Sequence, residues 1–238
     1  KMHHCRYRFG LTGTLDGTQT HQLVLEGLFG AVEKVVTTKE LIDKNTLADL
    51  KIKCIILKHK NIREKMTYAE ELEYIVTNEK RIDFVVNLLR HLNGNTLCLF
   101  QLVEKHGKIL NDKMKGSENV YFVYGGIDTS EREEIRGLVE KHTKSTTIAS
   151  YGTFSTGINI RNIHNIVLAS PSKSKIRVLQ SIGRGLRTSS NKDSVLVYDI
   201  ADDISYNERR NFTLNHFTER LAIYNEEQFD YDISKVKL

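Results

Sequence analysis

Apolar residues along this chain fall into runs that alternate in character. From about Asn95 onward, short runs rich in β-branched residues alternate with longer amphipathic stretches, the pattern of βα units that build a parallel sheet. The runs predict strands over Thr96–Phe100, Asn119–Val123, Thr146–Ser150, Asn165–Ala169 and Ser194–Ile200. The stretches between them predict helices over Val103–Lys115, Thr129–His142 and Lys175–Arg187. Most of these strands are apolar throughout, as expected where helices cover both faces of a sheet. A strand over Ile52–Leu57 and a helix through Arg81–Leu92 open the domain, and apolar positions at Phe212, Leu214, Phe217, Leu221 and Tyr224 predict a terminal helix within Tyr206–Glu227.

The first 48 residues do not join this rhythm. Arg6–Leu11 reads as a strand that stops at Thr12-Gly13-Thr14, and no sustained period follows until Lys51. Residues 1–48 are therefore expected to be the tail of a preceding domain plus a connector, and residues 49–238 the main domain. The single proline, Pro171, follows a predicted strand end, where a missing N–H costs no ladder bond.

Composition narrows the class only a little. The chain has 238 residues, 39% of them hydrophobic, enough for a sizeable core. Its 35 basic and 30 acidic residues leave a formal charge of +5, which suits a polyanionic partner without demanding one. The three cysteines, Cys5, Cys54 and Cys98, are odd in number and far apart, so neither a disulfide framework nor a zinc knuckle is indicated and a cytoplasmic setting is expected. His3, His4 and Cys5 are adjacent rather than spaced for a shared ion, and no metal site is expected. No apolar run approaches the roughly 20 residues needed to span a bilayer.

The strongest chemical signal is Gln180-Ser-Ile-Gly183-Arg184-Gly-Leu-Arg187, of the form Q-x-x-G-R-x-x-R. Four fixed letters in eight positions arise by chance in on the order of one chain per thousand of this length. Arg184 and Arg187 are three apart, so a helix sets both guanidinium groups on one face. Two neighbouring forks suit a triphosphate better than a single carboxylate, because several oxygens must be held at once. The plainer alternative is a pair of helix-end arginines bonded to a carboxylate.

This segment resembles motif VI of superfamily 2 helicases. Thr12-Gly13-Thr14 resembles motif III, the strand Thr96–Phe100 with Gln101 resembles motif IV, and Ala149–Asn159 resembles motif V. Tyr124-Gly125-Gly126 through Arg132 resembles the glycine and arginine segment after motif IV. The matches cover nearly the whole chain in the right order, and their wording is similar to that of recombination helicases of T-even phages. The resemblance implies an α/β fold, a RecA-like parallel sheet with helices on both faces, preceded by the tail of an N-terminal RecA-like lobe. It also implies an ATP-dependent DNA helicase whose two lobes sandwich ATP and magnesium, acting on branched DNA such as stalled forks and recombination junctions.

By that resemblance, Arg184 and Arg187 supply the arginine finger and its neighbour, and Gln180 helps sense the γ-phosphate. Gly157, Asn159 and Gly183 approach the nucleotide, although relatives often carry Asp where this chain has Asn159. Thr12, Gly13 and Thr14 couple the nucleotide cleft to the strand-binding surface. Ser150, Thr153, Gln101, Gly125 and Gly126 contact nucleic acid; for the hydroxyls a cap or turn role is the plain alternative, and for the glycines a tight turn. Lys173, Lys175 and Arg177 read as a solvated face.

No G-x-x-x-x-G-K-[ST] loop and no Asp-Glu-x-His or Asp-Glu-Ala-Asp stretch occurs in these 238 residues. This polypeptide by itself is therefore expected neither to bind ATP tightly nor to hydrolyse it, with ATP and magnesium held mainly by the N-terminal lobe. Two other readings stay open: a double-strand translocase or RNA helicase lobe, and a non-catalytic nucleic-acid-binding module of the same shape.

Overall fold

A computed structural model describes residues 5–12, 19–33, 35–60, 62, 64–157, 160–172, 174–186 and 192–238; the side chains of 155–157 and 175–177 fall outside the description. Strands β1 (Asp49–Lys58), β2 (Asn95–Phe100), β3 (Val120–Val123), β4 (Ser145–Ser150), β5 (Asn165–Leu168), β6 (Ser194–Asp203) and β7 (Asp230–Lys237) form one sheet in the order β3-β4-β2-β5-β6-β1-β7. Every pairing is parallel. Crossovers run through α4 (Glu79–His91), α5 (Lys108–Lys113), α6 (Thr129–Lys141), α7 (Tyr151–Gly157), α8 (Lys175–Gly185) and α9 (Phe212–Glu226). This is the parallel α/β arrangement that the alternation predicts, in the RecA-like form that the resemblance implies.

The strand period of two sends alternate side chains to two separate cores. Leu97 and Leu99 of β2, with Ile166 and Leu168 of β5, face a layer that includes Ile135 and Val139 of α6, Phe154 of α7, and Val178 and Ile182 of α8. Cys98, Phe100 and Val167 face Ile82, Val85, Val86 and Leu89 of α4 and Leu110 of α5. Helices therefore cover both faces.

Two charged residues inside the apolar run of β6 tie these layers to the sheet. Arg81 Nε on α4 donates to Asp202 Oδ1 at 2.8 Å, Arg81 Nη2 donates to the Ala169 carbonyl at 2.7 Å, and His59 Nε2 lies 2.9 Å from the same Asp202 oxygen. Burial opposes the ionisation of Asp202, but Arg81 and His59 overcome it and hold its carboxyl below the ordinary value. On the other face, Arg220 of α9 grips Asp199 through Nε at 2.8 Å and Nη2 at 2.7 Å, while Tyr224 donates to the same carboxylate at 2.8 Å. Burial works against the Arg220 charge, and Asp199 more than restores it.

Several elements depart from the sequence expectation. Arg6–Leu11 forms no strand; with no described strand beside it to accept its ladder bonds, it stays exposed, Tyr7 at 72%, Phe9 at 86% and Leu11 at 101% of full accessibility. The predicted helix Val103–Lys115 opens with a π-helical turn over Val103–Gly107 before α5. A Cβ at Gly107 would lie 2.4 Å from the Phe100 ring, so only glycine lets the backbone pass there. Helices α1 (Gln19–Phe29), α2 (Thr38–Asp43) and α3 (Tyr68–Thr77) arise where no period was read. Ile42 of α2 and Ala48 pack into the first core layer, and α3 starts at a reciprocal cap, Thr67 with Glu70. No helix among the described residues is long and apolar enough to cross a membrane.

Candidate functional site

Because every strand runs the same way, all carboxyl ends lie on one edge of the sheet, where ligands of open α/β sheets bind. Gln101 follows β2 on this edge, with its side chain exposed and its backbone N–H donating to Ser170 Oγ at 3.0 Å. Gly125 and Gly126 follow β3 in an exposed turn, and Arg132 Nη2 donates to the Gly125 carbonyl at 3.2 Å. Ser150 ends β4. Its hydroxyl lies 2.8 Å from that of Thr153 and accepts from the Thr153 N–H at 3.3 Å, capping α7. Both are buried, at 9% and 4% exposure. The cap role thus engages these two hydroxyls with each other.

From that edge α7 descends through Tyr151 and Phe154 into the core and ends at Gly157. The motif V segment folds as a helix rather than a loop because these two rings, three apart, anchor one side of it. Helix α8 lies alongside and also runs away from the carboxyl edge. Val178, Ser181, Ile182 and Leu186 turn inward and are buried, while Gln180 and Gly183 are exposed and Arg184 is half-buried. Spacings of three and four put Gln180, Gly183 and Arg184 on a single stripe. Around Gly183 a Cβ would meet nothing within 4 Å, so the helix surface at this position faces open space. The Arg184 guanidinium sits over the Phe154 ring, 5.6 Å from its centroid.

The last turn of α8 is pinned at the opposite edge of the sheet. A Cβ on Gly185 would come within 2.5 Å of Ile166 Cδ1, so the glycine lets the helix settle onto β5. The Leu186 carbonyl accepts from the Ala48 N–H at 2.9 Å, directly before β1. Lys192 Nζ donates to the Gly185 carbonyl at 2.5 Å and to the Arg161 carbonyl at 2.8 Å. Burial pushes the Lys192 ammonium down to about 8. A cation on the last carbonyls of a helix satisfies orphan acceptors and complements the helix dipole.

The site residues thus divide by edge. Ser150, Thr153, Gln101, Gly125 and Gly126 gather at the carboxyl ends of β2, β3 and β4, whereas Gln180, Gly183 and Arg184 form a stripe on α8 beside α7. Thr12 is exposed on the N-terminal segment. Gly13, Thr14, Asn159 and Arg187 lie outside the described residues, as does Lys173. Sequence reasoning missed Phe154, Gly185 and Lys192. The first two sit inside the motifs but read as spacers, and a lysine in a polar loop gives no periodic signal. For magnesium, no group of three or more His, Cys, Asp or Glu side chains among the described residues is placed to hold an ion; the cation the site does offer is Arg184, suited to phosphate oxygens.

Comparison with known proteins bears on the fold that carries these residues. Residues 80–189 match the family described as helicase conserved C-terminal domain. The ATP-dependent DNA helicase UvsW of enterobacteria phage T4 is 34% identical over 256 aligned positions, which take in 100% of this chain and 51% of that protein. The crystal structure of T4 UvsW superposes with a TM-score of 0.68 at 34% identity, over 89% of this chain and 44% of that one. A Type ISP restriction-modification enzyme, LlaBIII bound to DNA, shares the fold with a TM-score of 0.62 at 13% identity, over 89% of this chain and 17% of that one. The C-terminal domain of the DEAD-box protein Dbp5 does so at 0.53 and 15% identity, over 82% and 92%. The chain spans about half the length of the curated relative it matches. Residues 80–189 thus match the helicase conserved C-terminal domain, and the chain resembles, in sequence and in its RecA-like fold, the C-terminal lobe of a superfamily 2 helicase.

Proposed function

We propose that this chain is the C-terminal motor lobe of an ATP-dependent DNA helicase that unwinds or branch-migrates branched recombination and replication intermediates. The observation that carries the reading is the outward stripe of α8, where Gln180 and Gly183 stand open and Arg184 is seated on Phe154. Arg184, with Arg187 three residues on in the sequence, is the finger that neutralises charge developing during phosphoryl transfer. Gln180 senses the γ-phosphate, and Gly157, Asn159 and Gly183 border the nucleotide. A preceding lobe supplies the phosphate cradle and magnesium ligands, and residues 1–48, with Thr12, Gly13 and Thr14, join it to the lobe formed by residues 49–238. Exposed Tyr7, Phe9 and Leu11 support that arrangement, since an apolar surface of this kind marks a contact site.

At the carboxyl edge, Gln101 and the turn at Gly125 and Gly126 offer a side-chain amide and backbone groups to a strand's phosphates. Ser150 and Thr153 join them when their mutual hydrogen bond opens. ATP draws the two lobes together and hydrolysis lets them part, so the grip on the strand shifts with each cycle. The test is Arg184→Ala in the two-lobed protein: ATP turnover should be abolished while nucleotide and DNA binding persist. Turnover at the normal rate would refute the finger role. The chain by itself should show no turnover, and robust hydrolysis by it would contradict the division of labour.

A further inference from the structure

A cavity of about 500 Å³ opens between the loop after β1 and the loop after β6. It belongs to neither the α8 stripe nor any helicase motif, yet these two loops also leave the carboxyl edge of the sheet. Lys65, Arg209 and Arg210 line it together with Met66, Tyr206 and Phe212. All three cations are exposed, and among the described residues their side chains form no ion pair. The buried acid at the wall, Glu71, is spent: Asn211 Nδ2 at 2.8 Å, the N–H groups of Phe212 and Thr213 at 2.9 and 2.5 Å, and the Thr213 hydroxyl all donate to it. Glu64 remains as the one uncommitted acid of the lining. The cations are therefore in excess.

The arginines are held in place by a tight hairpin turn. Tyr206 N–H donates to the Arg209 carbonyl at 3.2 Å and Arg209 N–H returns to Tyr206 at 3.0 Å, across Asn207 and Glu208 at φ of 46° and 64°. Two successive left-handed residues make a turn of the mirror-image kind, which favours Asn at the first position but strains Glu at the second. Beside this turn Phe212 is exposed and meets Tyr68 edge-on at 6.2 Å between ring centres. Cations along a groove with an exposed aromatic face are the combination that holds a single strand, phosphates on the charges and a base on the ring.

We propose that this cavity seats one nucleotide of a nucleic-acid single strand, with the phosphodiester on Arg209, Arg210 and Lys65 and the base against Phe212. The inference rests on the nucleic-acid reading above and extends its track. Strands β3 and β1 are five places apart in the sheet, so the edge from Gly125 to this cavity is about 24 Å long. A strand laid along it passes Gln101 on the way.

The test is fluorescence anisotropy of this chain with a labelled oligothymidylate over a range of salt. Arg209→Glu with Arg210→Glu should weaken binding at low salt by at least about tenfold and flatten the logarithmic salt dependence by about 1.4, the loss of two single-strand phosphate contacts. Phe212→Ala should weaken binding by roughly tenfold while keeping the salt dependence. Lys115→Glu, after α5 and away from the carboxyl edge, should change neither. Photo-crosslinking of an iodouridine oligonucleotide to the unmodified chain should label Tyr206 or Phe212, a readout independent of how the variants fold. Unaltered affinity with crosslinks only elsewhere overturns the cavity assignment alone. An equal loss in Lys115→Glu overturns it too, as bulk charge. Failure of the unmodified chain to bind overturns both this site and the nucleic-acid reading.

Discussion

The guanidinium of Arg184 rests on the face of Phe154, joining the end of α8 to the middle of α7. Phe154 directly follows Thr153, whose hydroxyl bonds to Ser150 at the carboxyl edge. Arg184 is therefore separated by one ring from the neighbour of a candidate strand contact. A cation over an aromatic face contributes about 0.5–1 kcal/mol at partly exposed sites. Phe154→Leu should thus lower ATP turnover of the two-lobed protein by roughly two- to fivefold, with a loss of stability of about 1 kcal/mol. Steady-state kinetics and urea melts measure the two effects separately.

Arg184→Lys keeps the charge but removes the planar fork. If the group works by holding two phosphate oxygens at once, lysine should restore little of the turnover lost in Arg184→Ala. If a point charge suffices, it should restore most. Single-turnover hydrolysis with both variants decides between them.

Asp202→Asn should destabilise the chain by about 3–5 kcal/mol, because the Arg81 guanidinium would be left buried with its charge unanswered. Asp83→Asn removes a partner of Lys113 on the surface and should cost under about 1 kcal/mol. Denaturant unfolding of the two variants side by side gives the comparison.

His106 makes stability depend on acid. Burial, aided by the nearby Arg81 charge and opposed by Asp202, drives its imidazole from 6.5 down to about 3. Between those values the unfolded chain takes up a proton that the folded chain refuses, so stability falls as pH drops from 6.5 toward 3. The slope should be at most about 1.4 kcal/mol per pH unit. His106→Gln should flatten it, as urea melts at stepped pH would show.

Much of this was readable from particular residues. Six of the seven strands announce themselves as apolar runs. The seventh, β7, does not, because Asp230, Asp232, Lys235 and Lys237 interrupt it on an exposed border. Helix α3 carried a legible signal in Thr67 and Glu70, a reciprocal cap three residues apart. Helix α7 did not, since Gly152 and Gly157 and its hydroxyl residues read as a loop and only the packing of Tyr151 and Phe154 makes it helical. The spacing predicted Arg184 and Arg187 on one helix face, and Arg187 lies outside the described residues. What spacing alone does not reveal is the partner beneath a residue, and so neither the ring under Arg184 nor the mutual bond of Ser150 and Thr153 was foreseen. Asp199 and Asp202 interrupt the apolar run of β6, but nothing in the sequence pattern named Arg220 or Arg81 as their partners.

The placement of β1 bears on how the chain is made. The first strand of the sheet pairs only with the last two, Asp49 beside Ser194 and Lys51 beside Asp230. A ribosome must therefore deliver nearly the whole domain before Ile52, Cys54, Ile55 and Leu57 find cover. Contacts so distant along the chain slow folding and prolong the exposure of nascent apolar segments. Loss of the final strand would bare one flank of β1 for good, turning a delay in synthesis into a lasting invitation to aggregate.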